Sequence, residues 1–270
     1  MGTLSFSKLN NFQIGLMSNY SYDGTFPGLL TAIFYAYDSK DWPEAIIRPE
    51  KQGLLFGEIV KINTDEQKAT RVWDGVKRYG GELTCEQIFH AFLSLDDDVE
   101  MIILRYCREL FTQKVCIATN FANDSVLKVS QLEKKVLREA HHFVMFIRFE
   151  QAADGTWFAP ISPKYDILSL ITGHFRARFA DQTWLIYDTR RGYGFFFDTK
   201  KIEQITIDNP AFNVISGQLN SNVTHPEEDK WQLMWKTYFK QIAIKERTNI
   251  KCQQNFMPKR FWKYLTEKKL

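Results

Sequence analysis

Cysteine is scarce in this 270-residue chain, and its four copies, Cys85, Cys107, Cys116 and Cys252, stand 22, 9 and 136 positions apart. There is no CxxC pair and no Cys/His grouping with zinc spacing, which excludes a zinc ribbon and argues against an iron–sulfur cluster held by this chain alone. Reduced thiols are the expected state. Long apolar runs are missing as well: FVMFI, Phe143 to Ile147, is among the longest, and a spanning helix needs about 20 such residues. No charged n-region leads into an apolar stretch at the N-terminus, so no signal peptide, no membrane segment and a cytoplasmic location are expected. Repeats with a period of about 20–50 residues and low-complexity tracts are also absent. The reading is of a chain with no metal and no cofactor of its own.

What remains is ordinary globular material, 44% hydrophobic and 25% charged, enriched in rings with 22 Phe. Most of those rings are expected in the core, where burying them gives the largest stabilising contribution. Charge is distributed unevenly. Residues 240–270 carry nine Lys or Arg against two Glu, a net +7, which leaves residues 1–239 at −4 in a chain of +3. The segment ends in NFMPKRFWKYL, Asn255 to Leu265, where Lys259, Arg260 and Lys263 alternate with Phe256, Phe261, Trp262 and Tyr264. Cations interleaved with rings suit a polyanion: the charges meet phosphates and the rings offer faces to bases.

Helix starts are read from four S/T-x-x-E/Q capping boxes, Thr64/Gln67, Thr84/Gln87, Ser130/Glu133 and Thr224/Glu227. In the first 120 residues the pattern predicts short strands at Tyr20–Tyr22 and Gly57–Ile62. Helices are predicted to Ser39, through Lys77, over Cys85–Leu95 and over Val99–Thr112. From 121 to 270 it predicts a helix from Gln131 to His141 feeding an alternating strand over 142–149. That strand pairs through the turn Asp154-Gly155 with Trp157–Ile161. A helix over Asp166–Phe179 and a hairpin of Thr183–Asp188 with Tyr193–Asp198 follow. A further helix puts Trp231, Met234, Trp235, Tyr238, Phe239 and Ile242 on one face, expected in the core. The expectation is an α+β fold: an antiparallel sheet from two hairpins with helices on one face, after a mostly helical N-terminal part.

Several side chains carry chemistry. Arg178 falls near the middle of an apolar helix face, where a cation needs Asp181 or Asp188 as a buried partner or an anionic ligand. Arg190 and Arg191 at a hairpin tip beside Gly192 form a phosphate clamp or merely a soluble turn. His174 flanks the Arg178 helix, and His141-His142 sits at the predicted helix–strand junction. In the tail, Lys259, Arg260, Lys263, Trp262 and Tyr264 either meet nucleic acid, or dock their rings and leave their charges in water.

The strings YDGTFPGLLTAIFYAY (Tyr22 to Tyr37), EAHHFVMFIRF (Glu139 to Phe149), HFRARFADQTWLIYDTRRGYGFFFD (His174 to Asp198) and ERTNIKCQQNFMPKRFWKYL (Glu246 to Leu265) resemble a bacterial family labelled as DNA-metabolism or DNA-repair proteins, without an assigned activity. Genes of that family commonly neighbour one for a radical S-adenosylmethionine protein similar to photoproduct lyases, and some members are fused to a uracil-DNA-glycosylase-like domain. The resemblance implies a DNA repair or modification setting and transfers no catalytic residues. Three expectations follow. The first is a DNA-binding accessory protein with a radical S-adenosylmethionine partner, gripping phosphate through Arg190, Arg191, Lys259, Arg260 and Lys263. The second is a base-directed hydrolase in which Asp188 positions water and His141 or His174 moves protons. The third is a protein-interaction subunit.

Overall fold

A computed structural model of the chain describes residues 18–49, 59–207, 219–220 and 223–268. The fold is α+β. The chain forms two compact units, residues 1–92 with 96–132, and residues 93–95 with 133–270.

The first unit is built on three short parallel strands: β1 (Asn19–Ser21) lies between β2 (Ala45–Ile47) and β3 (Ile59–Lys61). Parallel neighbours need a crossover, and α1 (Phe26–Ser39) supplies the one from β1 to β2. Thr25 caps α1 by accepting the Gly28 N–H at 3.0 Å, with Pro27 in the first turn where its missing N–H costs nothing. The helix ends at Ser39, as expected. α2 (Glu66–Phe92) breaks at Gly81, whose φ of 72° lies in the left-handed region, so its two arms correspond to the two predicted helices. α3 (Val99–Gln113) follows. Within this unit buried Glu100 accepts the Tyr22 hydroxyl at 2.9 Å and pairs with Arg48, which lies over the Phe92 ring. Burial and the adjacent Glu100 carboxylate push the Tyr22 phenol far above its ordinary value.

The second unit holds a five-stranded sheet ordered β4-β5-β6-β7-β8, formed by Glu150–Gln151, Trp157–Ile161, Trp184–Asp188, Tyr193–Phe197 and Ile202–Ile205. The sheet is mixed rather than antiparallel. β5 and β6 run parallel because α5 (Leu168–Arg178) carries the chain back to the same end, while β4–β5, β6–β7 and β7–β8 are antiparallel. Pro160 lies beyond the two residues that β4 covers, where its missing N–H costs no ladder bond. The β6–β7 hairpin forms as expected and turns at Gly192, φ 73°.

Three other expectations are corrected. The segment 142–146 is helical: α4 spans Asp124–Phe146, and Val126, Val129, Leu132, Val136, Ala140 and Phe143 continue one buried helical stripe through the apparent alternation. The two units divide inside this helix, between 132 and 133. None of the four boxes caps a helix. Thr64 donates to Asp23, Thr84 to the Gly80 carbonyl and Thr224 to the Asn220 carbonyl, and Ser130 lies within α4. Asp65 and Asn123 accept the helix-start N–H groups instead. Finally, α6 (Glu228–Ile242) leaves Trp231, Met234, Trp235, Tyr238 and Ile242 exposed rather than in the core. Helical spacing identifies an amphipathic helix without identifying what covers it.

Candidate nucleic-acid interface

Parallel pairing of β5 and β6 sets Ile161 opposite Asp188, so the carboxyl ends of both strands lie side by side. Ligands of parallel sheets gather at such ends. Two turns leave from here: the loop Ser162-Pro163-Lys164-Tyr165-Asp166 toward α5, and the hairpin tip Thr189 to Gly192. The C-terminal segment reaches the same place. α7 (Ile250–Phe256) is followed by 3₁₀ turns over Lys259–Tyr264 and Thr266–Lys268. Its Tyr264 hydroxyl accepts the Ser162 N–H at 2.7 Å, and Lys263 Nζ donates to Ser162 Oγ at 2.8 Å.

The 162–166 loop is thus the assembly point. Arg191 donates to the carbonyls of Pro163 (3.2 Å) and Lys164 (2.9 Å), and Arg190 reaches the Lys164 carbonyl at 3.5 Å. The Lys164 N–H donates to Glu139 Oε1 at 2.6 Å, and Arg260 Nη1 lies 3.1 Å from both oxygens of that carboxylate, which is 2% exposed. Asp188, 0% exposed, accepts the N–H groups of Arg190 (2.9 Å) and Arg191 (3.2 Å), and Arg191 Nη1 at 2.6 Å. Burial raises the Asp188 carboxyl above its ordinary value, against the pull of Arg191. Asp166 accepts the Tyr193 hydroxyl beside it.

Sequence reading singled out six members of this cluster: Asp188, Arg190, Arg191, Arg260, Lys263 and Tyr264. It missed Glu139, Ser162 and Lys164, for which only the Pro163 turn after a strand gave a signal. The roles also change. Two of the cations, Arg191 and Arg260, are ion-paired. Lys164, Arg190, Lys259 and Lys263 are exposed, and their side chains form no ion pair among the described residues. Tyr264 is buried with its hydroxyl engaged, so it offers no face to a base. Phe261 is buried edge-on against Phe143 at 5.1 Å, and Trp262, half-buried, donates to the Met257 carbonyl under Lys268. The turn therefore docks Phe261 and Tyr264 and leaves Lys259 and Lys263 exposed, while Phe256 stays uncovered.

The catalytic candidates are not brought together. His141 and His174 are exposed on α4 and α5, while Asp188 is sealed by its bonds and shows water no free oxygen. Arg178 is exposed over the Phe179 ring at 6.0 Å, which corrects the buried ion pair expected for it. The helix turns its last residues away from the core just before the chain reverses at Phe179. His142, which follows His141 at the expected helix–strand junction, packs against Phe261 at 5.4 Å with a buried Nδ1, and burial together with Arg260 lowers its basicity. Among the described residues no group of three His, Cys, Asp or Glu could hold a metal ion, and no helix is long and apolar enough to cross a membrane.

Fold and site together define an α+β protein whose second unit displays a basic surface at the ends of two parallel strands. The chain belongs to a family described as a domain of unknown function, DUF4130, whose model matches residues 97–267 and so takes in the whole second sheet and the basic surface. No curated protein and no solved structure matches the chain.

Proposed function

We propose that this protein binds DNA through the surface formed by the 162–166 loop, the 189–192 tip and the 259–264 turn. It would act as an accessory factor in DNA repair or modification beside a radical S-adenosylmethionine partner. The observation that carries the reading is convergence: Lys164, Arg190 and Lys263, from three distant segments, meet around one loop with side chains that form no ion pair among the described residues, and Lys259 stands exposed on the same turn as Lys263. Guanidinium and ammonium groups so placed contact phosphate, and each contact releases counterions. Asp188 and Glu139 hold the geometry from beneath instead of neutralising it. The repair setting and the partner rest on the family resemblance in the four strings above.

Fluorescence anisotropy with labelled single- and double-stranded DNA across a salt series tests the binding. Affinity that falls steeply with salt, and weakens uniformly across sequences in Lys263→Ala and Arg190→Ala, supports it. Affinity indifferent to both would end it. Co-purification with the product of a neighbouring radical-enzyme gene tests the partnership separately.

A further inference from the structure

A second feature of this unit lies apart from the cations. A cavity of about 560 Å³ is walled by Phe149, Trp157, Trp231 and Trp235, with the amides of Gln151 and Gln232 at its edge. A smaller one of about 280 Å³ shares Phe149 and Trp157 and adds Gln182 and Trp184. Such volumes suit a small flat ligand. Among the described residues no indole of the larger cavity stacks on another ring of its wall; Trp235 meets Tyr238 at 5.8 Å and Trp231 meets Lys230 at 5.7 Å outside it.

These rings are positioned, not loose. Trp235 Nε1 donates to Glu267 Oε2 at 2.9 Å, and the same carboxylate, 5% exposed, pairs with Arg148 on the cavity wall. Glu228, also buried, accepts the Gln151 N–H at 3.1 Å and the Gln232 side-chain N–H at 3.1 Å, and among the described residues the Gln232 carbonyl oxygen has no partner. Trp184, which lines the smaller cavity, is almost wholly buried, and its Nε1–H, closed off from solvent, has no acceptor among the described residues. Aromatic faces combined with amide and indole edges match a heteroaromatic ring that both stacks and hydrogen-bonds. An apolar helix would leave those edges unsatisfied.

We propose that the larger cavity receives an unstacked nucleobase of the bound strand, stacked on Trp231 or Trp235 and read along its edge by Gln151 and Gln232. This rests on the DNA-binding reading and deepens it. The two features are close along the chain: Thr266 lines the larger cavity, and its Cα can be no more than about 11 Å from that of Lys263.

The test uses the whole protein and two single-stranded oligonucleotides of one length, one carrying bases and one abasic throughout. Wild type should bind the base-bearing strand more tightly. Trp231→Ala, at an exposed position whose side chain has no hydrogen bond among the described residues, should weaken that complex about 5- to 150-fold and leave the abasic complex unchanged, as expected for loss of one stacked base. Trp231→Phe should retain most of the affinity. Equal binding of both strands by wild type, or Trp231→Ala with unaltered preference, would overturn the pocket while leaving phosphate binding intact. Failure of wild type to bind either strand would instead refute the DNA-binding reading. The pocket is then decided by nucleoside titration of indole fluorescence, where quenching lost in Trp231→Ala supports it and no quenching overturns it. A dimer of this chain that Trp231→Ala dissolves would assign the face to a second copy and overturn it too.

Discussion

Glu139→Gln separates the two roles assigned to the basic cluster, because it should weaken the fold and strengthen DNA binding at once. The wild-type carboxylate is 2% exposed and accepts the Lys164 N–H at 2.6 Å and Arg260 Nη1 at 3.1 Å to each oxygen. The amide oxygen of Gln can still take the Lys164 N–H, so the loop keeps its anchor, while Arg260 loses its counter-charge. Hydrogen bonds to charged groups contribute about 1.5–3 kcal/mol, and a guanidinium that is 48% exposed regains much of its hydration, so the loss belongs near 1.5 kcal/mol. Denaturant unfolding followed by far-UV signal reads it as a lower midpoint with unchanged slope. Arg260, now unpaired at the rim, can meet a phosphate, and the slope of log K against log salt on duplex DNA should steepen by about 0.9. A partly unfolded protein cannot mimic that combination. Weaker DNA binding with a shallower slope, or wild-type stability, would refute the reasoning.

Three further outcomes are expected. Phe261→Ala should cost about 3–5 kcal/mol in denaturant unfolding, since the ring is 1% exposed and fills the space between His142, Phe143 and Phe146; a loss under 1 kcal/mol would show that the tail does not dock. Tyr264→Phe removes the oxygen that accepts the Ser162 N–H and should cost about 1–3 kcal/mol with little change in DNA affinity at saturating stability. For Asp188 the folded state holds the proton more tightly than the unfolded state, because burial raises its pKa. The stability of wild type minus that of Asp188→Asn should therefore fall as pH rises from the ordinary aspartate value to the raised folded value, and be flat above it. A rise across that window, measured by urea unfolding at a series of pH values, would mean that Arg191 outweighs burial.

Much of the local structure was legible along the chain. The end of α1 at Ser39, the extent of α3 and the β6–β7 hairpin follow from periodicity and turn residues within a few positions. The misreadings share a cause: each depended on distant partners. The alternation at 142–149 competed with a helical stripe running back to Val126 and lost. Thr64 met Asp23 rather than its own helix. The parallel β5–β6 pair could not be read from two hairpin signals, because the direction of the crossover depends on where α5 packs. The same holds for the site. Arg260 and Glu139 are separated by 121 positions, and Tyr264 and Ser162 by 102, so no window of sequence shows that they meet. Composition alone did mark the excess of cations in the tail. It gave no sign of which cations would be tied up by Glu139 and Asp188, or that α6 would leave its indoles uncovered.

The central claim is that four unpaired cations form one phosphate-gripping surface, and the salt slope of DNA binding tests it most directly. For duplex DNA, wild type should give log K against log salt with a slope of about −3.6 for four contacts, and the triple variant Arg190→Ala/Lys259→Ala/Lys263→Ala about −0.9. A wild-type slope near zero, or a triple variant with the wild-type slope, would contradict it.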